Sequence, residues 1–289
     1  MYYKVKYNQI SVSYLPVLDG GGMTFGQQYL GVIREKLGRV GHVFEYCAGP
    51  GFIGFSLLAN GLCDRLTLAD VNPEAVKAVQ ATIEENHLED RVTVYQSDCL
   101  DDIPATERWD LVVSNPPHWD GTEESYRGAI RLVDPGWVIH KRFYRDVKKF
   151  LNPNASIIFQ ESSHATKRED FEPMIKENGL DMVEVFEVEQ KKAFKLPASK
   201  WLARLTRALA HRTMLPIEKL LMVKGVEKAL KDNDLYRKIS ALPGLAPTQF
   251  YFMWSKPSPA AGAVVTSNGP GTLRIPPVVA GGPRVSGLN

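Results

Sequence analysis

Short apolar runs alternate along this chain with stretches whose apolar residues recur at helical spacing. VFEYC (43–47) stops at Ala48-Gly49-Pro50-Gly51, after which FIGFSLLAN repeats apolar positions until Gly61. That order reads as strand, tight turn, helix and terminating glycine. It recurs at once, with RLTLAD (65–70) followed by PEAVKAVQATIEENH (73–87), where Pro73 suits a first helical turn. Five more strand-like runs follow: VTVYQSD (92–98), DLVVSN (110–115), ASIIFQES (155–162), MVEVFEVE (182–189) and QFYFMWSK (249–256). Helical stretches lie near 141–151 and 167–178. Alternation of this kind predicts an α/β fold, a Rossmann-like, seven-stranded, mostly parallel sheet with helices on both faces.

The last two runs break the rhythm, because about 60 residues separate them without an ordinary crossover. Here the charge becomes informative. The formal net charge of +2 conceals a block at 190–247 with 13 Lys and Arg against 4 Asp and Glu, so the rest of the chain before it is acidic. We expect a basic helical insertion before the last strand, built from 199–211, a helix entered by Pro216 over 217–231, and a third near 233–241. In the first of these, Lys200, Arg204, Arg207 and His211 share one side, while Trp201, Leu202, Leu205 and Leu209 line another. Such a face suits a phosphate-bearing or acidic partner, a lid, a dimer contact or a membrane surface. A solvated helix is the plain alternative. The tail, 257–289, holds six Pro and six Gly with two charges and reads as disordered.

Composition narrows the class further. At 289 residues and 44% hydrophobic content the chain buries one large core or two modest ones, which excludes a peptide, a fibre and a disordered protein. With no apolar run near 18 residues and no secretory leader pattern, no membrane span is expected and a cytoplasmic location is. Cys47, Cys63 and Cys99 form no CxxC pair, which argues against a disulfide framework and structural zinc. No metal site is expected. His42, His87, His140, His164 and His211 are scattered and read as surface or packing residues.

The chemistry concentrates at two turns. Gly49-Pro50-Gly51-Phe52-Ile53-Gly54 fits G-x-G-x-x-G between a strand and a helix, and Asp70 ends the next strand 19 residues after Gly51. Glycines let the backbone approach a ligand, and such an acid can grip ribose hydroxyls. This much fits a dinucleotide or S-adenosylmethionine equally. At the end of the fourth strand stands Ser114-Asn115-Pro116-Pro117-His118. Two prolines fix φ and delete two donors where the sheet needs neither. The expected result is a stiff corner offering the Pro116 carbonyl and the Asn115 amide oxygen to the crevice beyond the strand ends.

In these motifs the chain resembles the class I S-adenosylmethionine-dependent methyltransferases, specifically the amino-methylating group with an Asn-Pro-Pro-aromatic motif. The glycine motif, Asp70, Asp98 and Asn115-Pro116-Pro117 occur in that family's order over roughly 22–189 plus 249–256. The resemblance implies S-adenosyl-L-methionine as cofactor, with Glu45, Gly49 and Gly51 around its methionine part, Asp70 on the ribose and Asp98 at the adenine amino group. It implies that Asn115 and Pro116 receive the target N–H groups; beside them Pro117 and Trp119 are read as substrate-binding, with Trp119 as a further stacking surface. His118 stands where the family has Tyr, Phe or Trp; it can stack, hydrogen-bond or take a proton. Thr24-Phe25-Gly26 lies where the family has a segment closing over the cofactor.

The implied organisation is an N-terminal closing segment (1–40), a methyltransferase domain (41–189 and 248–256), the basic insertion (190–247) and the tail. Amide and aromatic amine nitrogens are poor nucleophiles because their lone pairs are delocalised. Two acceptors holding both N–H bonds would favour a more tetrahedral nitrogen as charge develops, which is electrostatic preorganisation. The acceptor is then a protein glutamine, a nucleobase or a small metabolite. An NAD-dependent oxidoreductase explains the glycine turn and Asp70 but not the prolines, and a non-catalytic cofactor-binding scaffold is the third reading. Glu123-Glu124 reads as a solvated loop beside the corner.

Overall fold

The computed structural model describes residues 2–15, 18, 22–128, 131–163, 165–187 and 250–259. The basic insertion, with Lys200, Trp201, Leu202, Arg204, Leu205, Arg207, Leu209 and His211, lies outside the described residues, as do His164 and nearly all of the tail. Three elements that the hydrophobic pattern did not single out come first. Strands β1 (Tyr3–Tyr7) and β2 (Ile10–Tyr14) form a two-stranded hairpin, followed by helix α1 (Gly22–Lys36). Then come β3 (Val40–Tyr46), α2 (Phe52–Ala59), β4 (Cys63–Asp70), α3 (Pro73–Asn86), β5 (Val92–Gln96) and β6 (Trp109–Ser114). The remainder is α4 (Glu123–Gly128), α5 (Val138–Asp146), β7 (Leu151–Ser162), α6 (Arg168–Glu177), β8 (Leu180–Glu187) and β9 (Phe250–Pro257).

Seven of these strands make one sheet in the order β5-β4-β3-β6-β7-β9-β8. Pairing is parallel from β5 through β7, and β9 runs antiparallel to both β7 and β8. The expected Rossmann-like sheet is therefore present. The helix expected near 141–151 starts earlier, at Val138, and gives way to a 3₁₀ turn (Val147–Phe150) before β7.

Both faces of the sheet are covered, and the period of two assigns side chains between them. Val43, Leu66, Leu68, Leu111, Val113 and Ile158 pack toward α1, α2 and α3. Phe44, Tyr46, Val112, Ile157 and Phe159 pack toward α5 and α6. On that second face Phe44 and Trp109, both fully buried, stack with ring centroids 3.8 Å apart. Helix α2 is apolar and buried on all sides, because the hairpin and α1 enclose the face the sheet leaves free. The hairpin docks by polar reciprocity: Ser13 N donates to Thr82 Oγ1 (2.9 Å), Ser11 N to Asn86 Oδ1 (2.8 Å), and Asn86 Nδ2 to the Ser11 carbonyl (3.0 Å). Those partners lie on α3, about 70 residues away.

Candidate active site

At the C-terminal ends of β3, β4 and β6 the sheet opens into a cavity of about 590 Å³, where open α/β sheets bind ligands and within the size range of small-molecule sites. The turn after β3 supplies one wall. Gly49 takes φ +51° and Gly51 φ +79°, a left-handed region that favours glycine. The two glycines do different work. Gly49 lines the cavity, whereas Gly51 sits behind it: a Cβ there would meet Leu68 Cδ2 at 2.5 Å and the Phe55 ring at 2.9 Å. Gly51, expected beside the ligand, thus lets α2 close onto β4.

Helix α2 has no side-chain cap of its own; Glu45, the penultimate residue of β3, serves instead. Its Oε2 accepts from Gly54 N (2.6 Å) and its Oε1 from Ile53 N (3.3 Å). Burial, only partly offset by these two amides, pushes the Glu45 pKa up to about 8. Asp70 ends β4 with both oxygens engaged, Oδ2 by Gly49 N (2.7 Å) and Oδ1 by Asn72 N (2.9 Å). One carboxylate therefore ties the glycine turn to the start of α3. Burial raises its pKa, against the pull of those backbone donors. Cys47 and Leu18 also line the cavity.

Asp98 lies on the rim, its side chain 63% exposed, and Arg142 of α5 holds it through Nη1 to Oδ1 (2.9 Å) while reaching Asp101 Oδ2 (2.7 Å). Arg142 carried no signal in the sequence, since its acids lie more than 40 residues upstream.

The opposite wall is the corner after β6. Its base is pinned, because Ser114 Oγ donates to the Tyr46 carbonyl (2.6 Å) and the Ser114 carbonyl accepts from Tyr29 OH (2.6 Å). Asn115, Pro116, Pro117 and His118 all line the same cavity as Gly49 and Asp70, with every peptide bond trans. Trp119 is not among the lining residues. It is 40% exposed and joined by its backbone to Leu132 and Asp134. Tyr126 and Arg131 do line the cavity, as does Glu123. Among the described residues no cluster suits a metal ion, and no helix is long and apolar enough to cross a membrane.

His118 and His140 are both buried. His118 Nε2 lies 2.9 Å from Asn115 Oδ1 and Nδ1 lies 3.0 Å from Glu161 Oε2. Glu161 Oε1 in turn meets His140 Nε2 at 3.1 Å, and His140 Nδ1 meets Asp134 Oδ2 at 2.6 Å. His140, expected as a surface or packing residue, is fully buried and ion-paired. Burial alone would lower its pKa, but Glu161 and Asp134 outweigh that and bring it up to about 9. Burial likewise opposes the Glu161 charge, yet His140 and His118 hold its pKa below the ordinary value. Two signals were available: His140 precedes Phe143, Tyr144 and Val147 at helical spacing, and Glu161 interrupts an apolar strand.

Residues 27–165 match the family model of the methyltransferase small domain. Fold and matched segment together define the class as a Rossmann-like domain whose residues 27–165 are similar to the methyltransferase small domain. Among curated proteins, the ribosomal RNA small subunit methyltransferase C of Actinobacillus pleuropneumoniae serotype 3 (strain JL03) is 35% identical over 116 residues, or 40% of this chain and 33% of that one. The chain thus spans about a third of the length of the curated relatives it matches. Two solved structures share the fold. One is the 4+2 cyclase SpnF, with TM-score 0.51, 12% identity and 81% of each chain covered. The other is a Galdieria sulphuraria protein assigned as a sarcosine dimethylglycine methyltransferase, with TM-score 0.50, 13% identity and 88% of this chain and 94% of that one covered. That one neighbour is a cyclase underlines that the scaffold by itself does not select a reaction.

Proposed function

We propose that the protein is an S-adenosylmethionine-dependent N-methyltransferase of the Asn-Pro-Pro group, and that its acceptor is the exocyclic amine of a nucleobase in RNA. The observation that carries this reading is the meeting of Asn115-Pro116-Pro117 with Gly49 and Asp70 around one cavity. The cavity and its donors fit the cofactor. Asp70 keeps lone pairs for ribose hydroxyls beyond its two backbone bonds, Asp98 stands at the rim for the adenine amino group, and Glu45 and Gly49 flank the methionine end, with Gly51 supporting the turn from behind. When bound, S-adenosylmethionine supplies an electrophilic methyl group. Asn115 Oδ1 and the Pro116 carbonyl hold the two N–H bonds of the target, orient its lone pair and stabilise the positive charge that grows on nitrogen. Pro117 bounds the acceptor.

An RNA acceptor draws support from the ribosomal RNA methyltransferases that match this segment and from the 13 basic residues of 190–247, which suit a phosphate backbone. In this reading 41–189 and 248–256 form the catalytic domain and 190–247 an RNA clamp. Residues 1–40 close over the cofactor, and the enzyme works in the cytoplasm. An NAD-dependent oxidoreductase and a non-catalytic scaffold each leave the prolines without a purpose. A protein glutamine is the second acceptor to test.

The test is transfer of labelled methyl from S-adenosylmethionine to ribosomal RNA and to glutamine-containing protein. Asn115→Ala is expected to lower kcat about 100-fold while cofactor affinity by calorimetry stays within about threefold. A folded wild-type protein that binds no S-adenosylmethionine refutes the proposal, and methylation confined to protein refutes its acceptor.

A further inference from the structure

Four buried ionisable groups in a row are costly to keep. Asp134, His140 and Glu161 are fully buried, and His118 is 8% exposed. They come from separate places: the turn before α5, α5 itself, β7, and the corner after β6. Acid and imidazole alternate, so each carboxylate faces ring nitrogens: Asp134 one, Glu161 two. The row is anchored at its far end, where the Asp134 carboxylate also accepts from Ile139 N (2.8 Å) and His140 N (3.1 Å). Aromatic rings wall it in, Phe171 at 4.6 Å and Trp137 at 5.7 Å from the His140 ring, and Phe250 at 5.7 Å from the His118 ring.

A purely structural role is a poor account of this row, because well-packed apolar residues generally stabilise a core at least as well as buried ion pairs do. Its near end is more telling. It stops at Asn115 Oδ1, 2.9 Å from His118 Nε2. The terminal torsion of an asparagine is soft, and its oxygen and nitrogen ends interchange by a half-turn. An acceptor that must meet a substrate N–H cannot be left to rotate. Phenylalanine, tyrosine or tryptophan at 118 would preserve a ring there but make neither bond as placed.

We propose that Asp134, His140, Glu161 and His118 form a buried strut that fixes the orientation of the Asn115 carboxamide toward the methyl acceptor, making His118 and Glu161 positioning residues. The inference rests on the methyltransferase reading for its catalytic consequence, but the strut itself is tested without turnover. Both neighbours of the His118 ring, Glu161 Oε2 and Asn115 Oδ1, are acceptors, so the ring donates to Glu161 through Nδ1 and to the amide oxygen through Nε2. Glu161→Gln keeps shape and volume but offers one acceptor and one donor, so a single carboxamide cannot accept from both imidazoles. His118→Phe keeps ring volume, removes both bonds and leaves Glu161 on His140.

The full chain is used throughout. In wild type, ¹⁵N spectra of the imidazoles are expected to show protons on both His118 ring nitrogens, and relaxation of the Asn115 Nδ2 group to show it as rigid as the backbone. In Glu161→Gln and His118→Phe that group becomes mobile, kcat falls about 10–100-fold, and S-adenosylmethionine affinity changes less than about threefold. A wild-type His118 lacking a proton on either ring nitrogen, an Asn115 amide equally rigid in a folded variant, or wild-type kcat in a folded variant overturns the proposal. If Glu161→Gln fails to fold, His118→Phe decides alone. If wild type methylates no acceptor, the functional reading fails while the two nuclear resonance measurements still decide the strut.

Discussion

Replacing Gly51 by alanine separates two costs that are usually confounded. Gly51 and Gly61 both have positive φ, +79° and +68°, so alanine at either pays the left-handed penalty of about 1–2 kcal/mol. Their surroundings differ. A Cβ on Gly61 meets nothing within 4 Å, whereas on Gly51 it would lie 2.5 Å from Leu68 Cδ2 and 2.9 Å from two Phe55 ring atoms. Leu68 and Phe55 have no exposed surface and cannot swing into solvent, so relief requires repacking of the core, at about 1–3 kcal/mol. Gly51→Ala should therefore cost about 2–5 kcal/mol against about 1–2 for Gly61→Ala. Urea unfolding measures both: the midpoint should fall further for Gly51→Ala with an unchanged slope, and Tm should separate the variants by about 3–10 °C. Because Gly51 precedes the first turn of α2, cofactor affinity should fall with it and stay normal in Gly61→Ala. Unfolding free energies of the two variants within about 0.5 kcal/mol would refute the packing argument.

Two further outcomes follow from the acids beneath the cavity. Asp70→Asn leaves one carbonyl oxygen to serve both Gly49 N and Asn72 N; losing a charge-assisted bond should weaken S-adenosylmethionine about 10–100-fold by calorimetry, and unchanged affinity would remove Asp70 from the site. Glu45, with its pKa at about 8, is largely neutral at pH 7 in the free protein. A cationic cofactor favours the carboxylate, so affinity should climb as pH rises to about 8 and level off above it, with proton release detectable in buffers of different ionisation enthalpy. The sign for stability is the reverse. A carboxyl whose folded pKa lies above its unfolded value gives its full contribution below about pH 4.5, and that contribution is lost as pH rises through about 8. Affinity flat from pH 6 to 9 with no proton exchange would count against Glu45 meeting the cofactor's charge.

The residues whose placement was legible in advance share a property: their local conformation is set by their immediate neighbours. Gly49-Pro50-Gly51 must turn, Asp70 must end a strand, and Asn115-Pro116-Pro117 can neither continue a ladder nor flex. The residues misjudged or missed depend on partners far along the chain. Glu161 lies 43 residues from His118 and 21 from His140, and Arg142 lies 44 from Asp98. Even between two glycines of one motif, the division into a cavity wall (Gly49) and a packing seam (Gly51) depended on Leu68 of the next strand.

Periodicity, turn chemistry and the proline corner thus determined the strands of the covered parallel sheet and the turns that meet at its cavity, since those preferences are settled within a few residues. The tertiary structure decided which polar groups face one another: the Glu45 cap on α2, the docking of the hairpin on α3, and the row from Asp134 to Asn115. Hydrogen bonds and buried charges act over about 3 Å, so their partners are known only once strand order and helix packing have brought distant segments together.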